Sequence, residues 1–425
     1  MINKNYYNIL VISYSCFSSS KANGRTLENL FNNWDKTKIS QLYFNNEIPD
    51  SNICENYYRI IDTDLFNYFK RKKVGNIINN RLTDNDDNIK LYDNARKYKK
   101  NIKMKLFRNI FWNMNLWKTK DLYNFIEKIK PDLIFGMAGD NYFVDKIILN
   151  VSKKYKLPIL IYNCEDYQFK NYAAKGVFGI FFSKLLKKSY DKLMKNTSYM
   201  IYSNQGIKDV FDKKYSHINN SIIYNPTPHE PYFDNVRNED LRISYLGNLG
   251  VGRHVSLIEI AEVIHEYNEN LYLDVYGSFP NENIERDIKN CKGIKYQGLV
   301  SYEKVIEITK TSDIVVHTES FDDYNMNDKK NAFSTKISDC LALSNCFFYY
   351  GPDTNIAMKY LKENEACYTA TNRDQMKQTI LNLLENHDIR NKYKNNANNL
   401  VISNHNISKN TEEVHNIINS LSSQE

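Results

Sequence analysis

The chain has 425 residues, which is too long for one ordinary hydrophobic core, so two domains are expected. Its 42% hydrophobic and 25% charged residues are typical of a globular protein with enough apolar material for both cores. The net charge of +7 favours anionic partners such as phosphates or a lipid surface, without selecting among them.

Cysteine, histidine and hydropathy patterns exclude several classes of protein. The seven cysteines are scattered and none stands in a C-x-x-C pair, which indicates a reduced, cytosolic protein without structural zinc. The histidines show no metal-ligand spacing, so neither a metal nor a cofactor is expected. No segment reaches the roughly 18 apolar residues needed to cross a bilayer, so a cytoplasmic protein is predicted, neither secreted nor integral.

The first half of the chain alternates apolar runs with helical patterns. A first helix begins near Thr26, and strands are predicted at 7–14, 39–44, 131–137, 157–162, 198–202 and 222–224. The polar, charged stretch 69–105 is predicted to be an insertion or a mobile region. Within it, Asp84 to Asp87 could form a D-x-D metal motif, but no apolar strand precedes these residues and a solvated loop is favoured.

Polar residues follow the predicted strands of this half, where open α/β sheets hold their ligands. The candidates after the first strand and after the strand at 131–137 are Ser18, Gly24, Asp140 and Asn141. Glu165 and Asp166 follow the strand at 157–162 and are candidates for acid/base work. Helix capping by these two carboxylates is an equally good interpretation.

Two basic, aromatic segments lie at 97–120 and 175–195. In the second, apolar residues at Val177, Phe178, Phe181, Leu185 and Leu193 fall largely on one helical face, with lysines among their neighbours. Such helices can lie in a membrane interface, where anionic lipids attract the lysines. The alternative is an amphipathic helix that packs on the sheet and exposes its polar face. Nucleic-acid binding is not expected, because neither segment belongs to a recognisable nucleic-acid motif.

A proline-rich stretch at 225–231 predicts a stiff linker between two domains. We place the first domain at 1–228, the second at 229–405, and a C-terminal helix that packs back on the first domain at 406–425. Strands of the second half are predicted at 243–246, 271–276, 294–297, 314–317, 346–350 and 366–369. Helices are predicted at 256–267, 283–290, 301–310, 335–343, 354–363 and 374–384. This alternation indicates a parallel sheet covered on both faces.

The strand at 243–246 is followed at once by Gly247, Gly250 and Gly252, then by Arg253 and a helix that Ser256 is placed to cap. Glycines allow backbone N–H groups to approach an anion, and the helix dipole and a guanidinium then neutralise its charge. A phosphate site is therefore predicted here, with a plain strand-to-helix turn as the alternative. The spacing G-x-x-G-x-G disfavours an NAD site.

A second anion-binding arrangement follows the strand at 314–317. Ser334 or Thr335 can cap a helix whose first turn carries Lys336, and Asp339 lies one turn further, where it can accept hydrogen bonds from a ribose diol. Two helix N-termini, each with a cation, suit the diphosphate of a nucleotide. A kinase-type P-loop is absent from the sequence.

The whole chain resembles GT-B-fold glycosyltransferases, and most closely the retaining family 4 enzymes of bacterial surface-polysaccharide synthesis. The motifs that carry the resemblance lie at 245–253, 275–277, 296–301, 312–317 and 333–339. The resemblance implies two Rossmann-like domains with parallel sheets that face a cleft. It implies sugar transfer from a nucleoside-diphosphate sugar to a carbohydrate or lipid-linked saccharide acceptor, without a metal.

The resemblance assigns the predicted site residues to roles. The first domain would bind the acceptor through Ser18, Gly24, Asp140 and Asn141, and catalysis would use Glu165, Asp166, Arg253 and Lys336. Donor-binding residues would be Gly247, Asn248, Gly250, Arg253, Tyr276, Gly277, Glu319, Phe333, Ser334, Thr335, Lys336 and Asp339. A peripheral membrane contact would use 97–120 and 175–195.

The sequence departs from the family pattern at one glutamate. Asp339 occupies the second acidic position of the E-x7-E motif, but Asn331 stands at the first, and Glu319 is the candidate replacement. Two other functions therefore remain open: a non-catalytic nucleotide-sugar-binding or assembly subunit, and a UDP-sugar epimerase.

Overall fold

The computed structural model describes residues 6–78, 101–232 and 241–422. The chain forms two compact units, one of Met1–Tyr224 with Ile407–Glu425 and one of Asn225–Asn406. Residues 225–228 thus group with the second unit, whereas the sequence placed them in the first. Hydrogen bonds hold this segment to the second unit. The Thr227 N–H donates to the His405 carbonyl at 2.9 Å, and the Thr227 hydroxyl donates to Asp339 Oδ1 at 2.8 Å.

The first unit contains a sheet of eight described strands in the order β4-β3-β2-β1-β5-β6-β7-β8. Neighbours are parallel, except that β4 runs antiparallel to β3. The strands are β1 (Ile9–Ser13), β2 (Ile39–Tyr43), β3 (Asn56–Arg59), β4 (Asn76–Ile78), β5 (Leu133–Met137), β6 (Ile159–Asn163), β7 (Tyr199–Tyr202) and β8 (Asn220–Ile222).

Helices cover both faces of this sheet because its central strands are apolar on both sides. In β1, Leu10 and Ile12 point into one core while Ile9 and Val11 point into the other. The helices are α1 (Ala22–Leu30), α2 (Asp62–Phe69), α3 (Ile102–Trp112), α4 (Lys120–Ile129), α5 (Tyr142–Tyr155), α6 (Gly176–Met194), α7 (Gln205–Tyr215) and, from the C-terminus, α16 (Ile407–Ser422).

The second unit contains six described strands, all parallel, in the order β11-β10-β9-β12-β13-β14. They are β9 (Ile243–Leu246), β10 (Leu273–Tyr276), β11 (Ile294–Gly298), β12 (Ile314–Thr318), β13 (Phe347–Tyr350) and β14 (Tyr368–Ala370). The helices are α8 (Arg253–Tyr267), α9 (Glu282–Asn290), α10 (Tyr302–Thr311), α11 (Asp323–Lys329), α12 (Lys336–Leu343), α13 (Ile356–Glu363), α14 (Arg373–Glu385) and α15 (Lys394–Leu400). This is the strand order of a Rossmann domain.

The prediction of two α/β units with parallel sheets is confirmed, and several local predictions are wrong. The sequence missed β3 and β4, and it placed the last strand of the first half two residues too late. Ser256 does not cap α8. The helix begins at Arg253 after Gly252, whose φ of +77° favours glycine, and the Ser256 hydroxyl inside the helix donates to the Glu319 carbonyl at 2.9 Å. The Asp84–Asp87 tract and residues 97–100 lie outside the described residues.

The C-terminal helix α16 belongs to the core of the first unit. Val414 and Ile418 are fully buried among the residues of α1 and β1, and the Thr411 hydroxyl donates to the Asn29 carbonyl at 3.3 Å. A segment far away in sequence therefore completes one face of the first sheet.

Truncating a buried side chain of α16 should destabilise the first unit. We expect Ile418→Ala to lower the free energy of unfolding by about 2–5 kcal/mol, because it leaves a cavity in a packed core. The exposed neighbour Asn416→Ala should change it by less than about 0.5 kcal/mol. Urea unfolding followed by circular dichroism measures both, and equal stabilities would contradict the packing described here.

Candidate functional site

The strand order of the second unit reverses between β9 and β12, so the chain leaves these two neighbouring strands in opposite directions. Open parallel sheets hold ligands at the carboxyl ends of such strands. The glycine turn after β9 and Glu319 after β12 lie at this point. The reversal of strand order therefore brings the glycine turn and Glu319 to one edge of the sheet, although Arg253 and Glu319 are 66 residues apart in the sequence.

The glycine turn is closely packed against the turn after β10. The Gly247 N–H donates to the Tyr276 carbonyl at 2.9 Å, and a Cβ at Gly277 would lie 2.1 Å from the Gly247 carbonyl oxygen. No residue with a side chain fits there. The Asn248 side chain turns back to accept the Gly250 N–H at 2.8 Å, which shapes the turn itself.

Lys336, at the start of α12, reaches this same turn. Its ammonium donates to the Leu246 carbonyl at 3.0 Å, and a Cβ at Gly247 would lie 2.9 Å from the Lys336 nitrogen. The structure therefore brings the two predicted anion-binding segments together within one unit. Because residue 247 is glycine, the Lys336 ammonium can lie directly against the backbone of the turn.

Arg253, in the first turn of α8, forms a two-pronged ion pair with Glu319. Its Nη2 lies 2.5 Å from Glu319 Oε1 and its Nε lies 3.1 Å from Oε2. Burial raises the pKa of Glu319, but Arg253 and the nearby His317 together outweigh burial and lower that pKa to about 2. Glu319 is therefore ionised at neutral pH and holds the guanidinium in place.

His317 lies beneath this pair, inside the core. Its ring stacks on Tyr349 with centroids 5.1 Å apart, and its Nε2 is 3.4 Å from Glu319 Oε1 without forming a hydrogen bond. Burial lowers the pKa of His317 below its ordinary value, so the ring is neutral at pH 7. Sequence analysis did not identify His317 as a site residue, although its position at the end of an apolar strand was the available signal.

Asp339 is buried and holds two structural hydrogen bonds. Thr227 donates to its Oδ1 at 2.8 Å, and the Tyr302 hydroxyl donates to its Oδ2 at 3.4 Å. The same hydroxyl lies 2.9 Å from His229 Nε2. The ribose contact of Asp339 stays a prediction, and the aspartate also holds the 225–229 segment against α12.

The remaining donor-side candidates surround the start of α12. Phe333 is buried, with its ring edge-on to Tyr360 at 5.3 Å. Thr335 is the N-cap residue but its side chain caps nothing, and Ser334 Oγ accepts the Lys336 N–H at 3.4 Å. Asn331 lies in the loop between α11 and α12 and is partly exposed. The first turn of α12 therefore leaves N–H groups without strong side-chain caps, a condition that suits anion binding.

In the first unit, the predicted acceptor residues divide between a cavity and a loop. Asp140 and Asn141 line a cavity of about 710 Å³ at the carboxyl ends of β1, β5 and β6. Ser18 instead accepts the Lys21 N–H at 2.9 Å, and a Cβ at Gly24 would lie 2.4 Å from the Cys16 carbonyl oxygen. Ser18 thus shapes the loop after β1, and Gly24, inside α1, packs closely against that loop. The first helix begins at Ala22, earlier than the predicted start near Thr26.

The two carboxylates after β6 differ in their surroundings. Glu165 pairs with Lys170 at 2.7 Å, and Asp166 stands at the N-cap of the short 3-10 turn Tyr167–Phe169, where its side chain makes no capping bond. Tyr167 and Cys164 line the cavity on either side of them. Their acid/base role stays a prediction.

No group of three or more His, Cys, Asp or Glu side chains that could hold a metal ion occurs within residues 6–78, 101–232 and 241–422. In the same described ranges, every helix is too short or too polar to cross a membrane. The two observations concern only these parts of the chain.

Comparison with known proteins identifies the fold. Residues 254–416 match the family model described as "Glycosyl transferase-like". The chain is similar to sucrose-phosphate synthase from Thermosynechococcus elongatus, with a TM-score of 0.66 and 11% identity over 98% of this chain and 99% of that one. It is also similar to Anabaena HepE in complex with UDP, with a TM-score of 0.60 and 11% identity over 97% and 100% of the two chains.

A third similar structure is an α,α-trehalose-phosphate synthase (UDP-forming) from Burkholderia xenovorans in complex with glucose-6-phosphate, with a TM-score of 0.60 and 9% identity over 97% and 99% of the two chains. No curated protein matches the sequence. At such low sequence identities, the structural similarity shows the fold and nothing more. The predicted GT-B fold is confirmed.

The Arg253–Glu319 pair should make stability depend on pH in a defined direction. The folded pKa of about 2 lies below the ordinary glutamate value of 4.5, so the stabilisation is present above pH 4.5 and is lost as pH falls towards 2. We expect Glu319→Gln to cost about 3 kcal/mol at pH 7, because it leaves the Arg253 charge buried without its partner.

Urea unfolding at pH 7, 5 and 3 measures this effect. The difference between the wild type and Glu319→Gln should shrink to less than half between pH 7 and pH 3. The exposed Glu363→Gln serves as the control and should show no such trend. A difference that stays constant with pH would show that Glu319 does not titrate as the ion pair requires.

Proposed function

We propose that the protein transfers a sugar from a nucleoside-diphosphate sugar, most simply a UDP-sugar, to a saccharide acceptor. The observation that carries this proposal is the meeting of Arg253 and Lys336 at the glycine turn, where the strand order reverses. HepE, which has the same fold, was solved with UDP and with UDP-glucose. The match of residues 254–416 to a glycosyltransferase-like model supports the same activity.

In this proposal the donor diphosphate lies between the glycine turn and the start of α12. Backbone N–H groups and the N-terminal ends of α8 and α12 face the anion. Lys336 and Arg253 supply two positive charges, and Glu319 offsets one of them. Breaking the sugar–phosphate bond adds negative charge to the leaving diphosphate, and fixed cations stabilise such charge more than they stabilise the ground state.

Glu319 acts in this scheme on Arg253 rather than on the sugar. Both carboxylate oxygens face the guanidinium, which fixes the planar fork that two phosphate oxygens can approach from its other edge. In this scheme Glu319 does not take the role of the family's first glutamate, and Asn331, at that sequence position, carries an amide instead of a carboxylate. A donor-sugar contact through the turns at 247–250 and 276–277 would have to rely largely on backbone groups.

The finer parts of the proposal rest on the resemblance to family 4. They are a retaining outcome, a reaction without a metal, a bacterial surface-polysaccharide pathway, and an acceptor that binds the first unit near Asp140 and Asn141. Glu165 or Asp166 would serve as the acceptor-side base, and Glu165 pairs with Lys170 at 2.7 Å.

We also propose peripheral contact with an anionic membrane through α3 and α6. Lys103 lies 4.9 Å from the centre of the Phe178 ring, which joins the two helices. Exposed apolar side chains on them are Met104, Phe107, Ile110, Val177, Phe178, Ile180 and Phe181. A cluster of lysines follows on α6 and at its end, at Lys184, Lys187, Lys188, Lys192 and Lys195. Leu193, which the sequence placed on the same helical face as Val177 and Phe178, is buried in the core.

Thermal-shift measurements against UDP-, GDP-, dTDP- and CMP-sugars test the donor site. A diphosphate site predicts stabilisation by at least one of the first three and none by CMP-sugars, which carry a single phosphate. Lys336→Gln and the double variant Arg253→Gln/Glu319→Gln should abolish the shift and lower turnover by ~100-fold. The double variant removes the ion pair without leaving a lone buried charge.

The exposed Lys362→Gln is the charge-matched control and should behave as the wild type. Wild-type turnover in both site variants would exclude the proposed donor site. Binding of a nucleotide sugar without transfer to any acceptor would instead support a non-catalytic subunit. A new sugar formed from the nucleotide sugar alone would indicate an epimerase.

Vesicle sedimentation tests the membrane contact. The wild type should bind phosphatidylcholine vesicles that contain 30% phosphatidylglycerol and should be released by salt, because each lysine contributes about 1 kcal/mol near an anionic surface. The variant Lys184→Gln/Lys187→Gln/Lys188→Gln should bind at least ~10-fold more weakly. The variant Lys128→Gln/Lys130→Gln/Lys153→Gln makes the same change of charge elsewhere on the first unit, and equal weakening in both would argue against a specific surface.

A further inference from the structure

The cavity of the first unit lies where the order of that sheet reverses, between β1 and β5. Tyr14 and Ser15 line it from the end of β1, and the segment 137–139 lines it from the end of β5. Its volume of about 710 Å³ falls within the range of small-molecule sites. By its place in the sheet, this cavity is the natural binding site of the first unit.

One side of the cavity is polar, and its positive and negative side chains are paired with one another. The Arg108 Nε lies 2.8 Å from both carboxylate oxygens of Asp62, and its Nη1 donates to Asn141 Oδ1 at 2.9 Å. The Lys105 ammonium forms an ion pair with Asp140. Because each cation already has a carboxylate, this side offers hydrogen-bonding groups for hydroxyls rather than a site for a free anion.

The other side of the cavity is apolar and is formed by α2 and α3. Phe66 and Phe111 stack with centroids 4.8 Å apart, and Met104 and Phe107 continue the same wall. Phe107 is 59% exposed, and Phe66 is 54% exposed. Aromatic side chains that line a cavity and stay half in water indicate a surface that a hydrocarbon group covers.

Further apolar side chains are exposed outside the cavity on the same two helices and just after them. They are Ile110 on α3, Met114 two residues after α3 ends, and Phe69 at the end of α2. A hydrocarbon chain that leaves the cavity would therefore have apolar side chains near it on α2 and α3. A free monosaccharide or a sugar phosphate would leave these side chains in water.

We propose that the acceptor is a saccharide joined to a hydrocarbon chain, with its sugar against Asp140 and Asn141 and the first part of its chain against Phe66, Phe107 and Phe111. This inference rests on the proposed function and decides between the two acceptor classes that it leaves open. The polar and apolar sides of one cavity match the two ends of such a molecule. A soluble sugar acceptor would use only the polar side.

The length of the chain should then control affinity. Each methylene group that is removed from water adds about 0.8 kcal/mol, or about fourfold in affinity. Several methylenes against the wall would thus outweigh the hydrogen bonds of a single sugar ring.

Calorimetry with two simple probes tests this expectation, without donor and without vesicles. n-Octyl β-D-glucoside, kept below its micelle-forming concentration, should bind the full-length protein at least ~10-fold more tightly than methyl β-D-glucoside. Phe107→Ser should remove most of this advantage. Tyr267→Ser is the matched control, because Tyr267 is also partly exposed, at 43%, but does not line the cavity.

Equal affinities for the two glucosides would overturn the proposal, and so would an octyl advantage that Phe107→Ser retains or that Tyr267→Ser removes. Thermal unfolding of each variant checks that it folds, and Phe66→Ser is the second cavity variant if Phe107→Ser does not. Nucleotide-sugar binding by the same preparations separates the two proposals. Loss of the octyl advantage with intact UDP-sugar binding would reject the lipid chain and leave the donor site in place.

Discussion

A buried ion pair between Arg253 and Glu319 ties together the two strand ends at the centre of the second unit. Arg253 begins the helix after β9 and Glu319 follows β12, so the pair spans the point where the sheet reverses its order. Two charges in the interior are tolerated only when their geometry is good, and here both prongs of the guanidinium are used. The Ser256 hydroxyl adds a third tie to the same residue through the Glu319 carbonyl.

Near this pair, two positions are glycine because there is no room for a side chain. The carbonyl of Gly247 lies where a Cβ of Gly277 would be, and the Lys336 ammonium lies where a Cβ of Gly247 would come too close. The two turns and the start of α12 can meet only because these positions carry no side chain. Backbone donors and one ammonium are thereby gathered at a single point, as anion binding requires.

The two units use the same sheet edge for different chemistry. In the second unit the edge presents glycine backbone and cations, whereas in the first it presents a cavity with paired charges on one side and aromatic side chains on the other. The proposed function places a diphosphate at the former and an amphipathic saccharide at the latter. Both sheets reverse their strand order at this edge, and the side chains after each strand differ between the two units.

The sequence by itself determined the alternation of strands and helices, the two-unit organisation and the position of the glycine turn. These follow from local patterns: buried parallel strands are continuous apolar runs, and helices repeat every 3.6 residues. It missed β3 and β4 because Asn56–Arg59 and Asn76–Ile78 have only four and three residues, which is too short for a clear apolar pattern.

Only the tertiary structure decided what the site residues touch. The partner of Arg253 is 66 residues away in sequence, and no local pattern connects the two. The same holds for Thr227 on Asp339, for Lys336 at the glycine turn, and for Asp62 on Arg108 in the cavity. Periodicity reports which face of an element is buried, but pairing across a sheet edge depends on strand order, which arises from packing the whole domain.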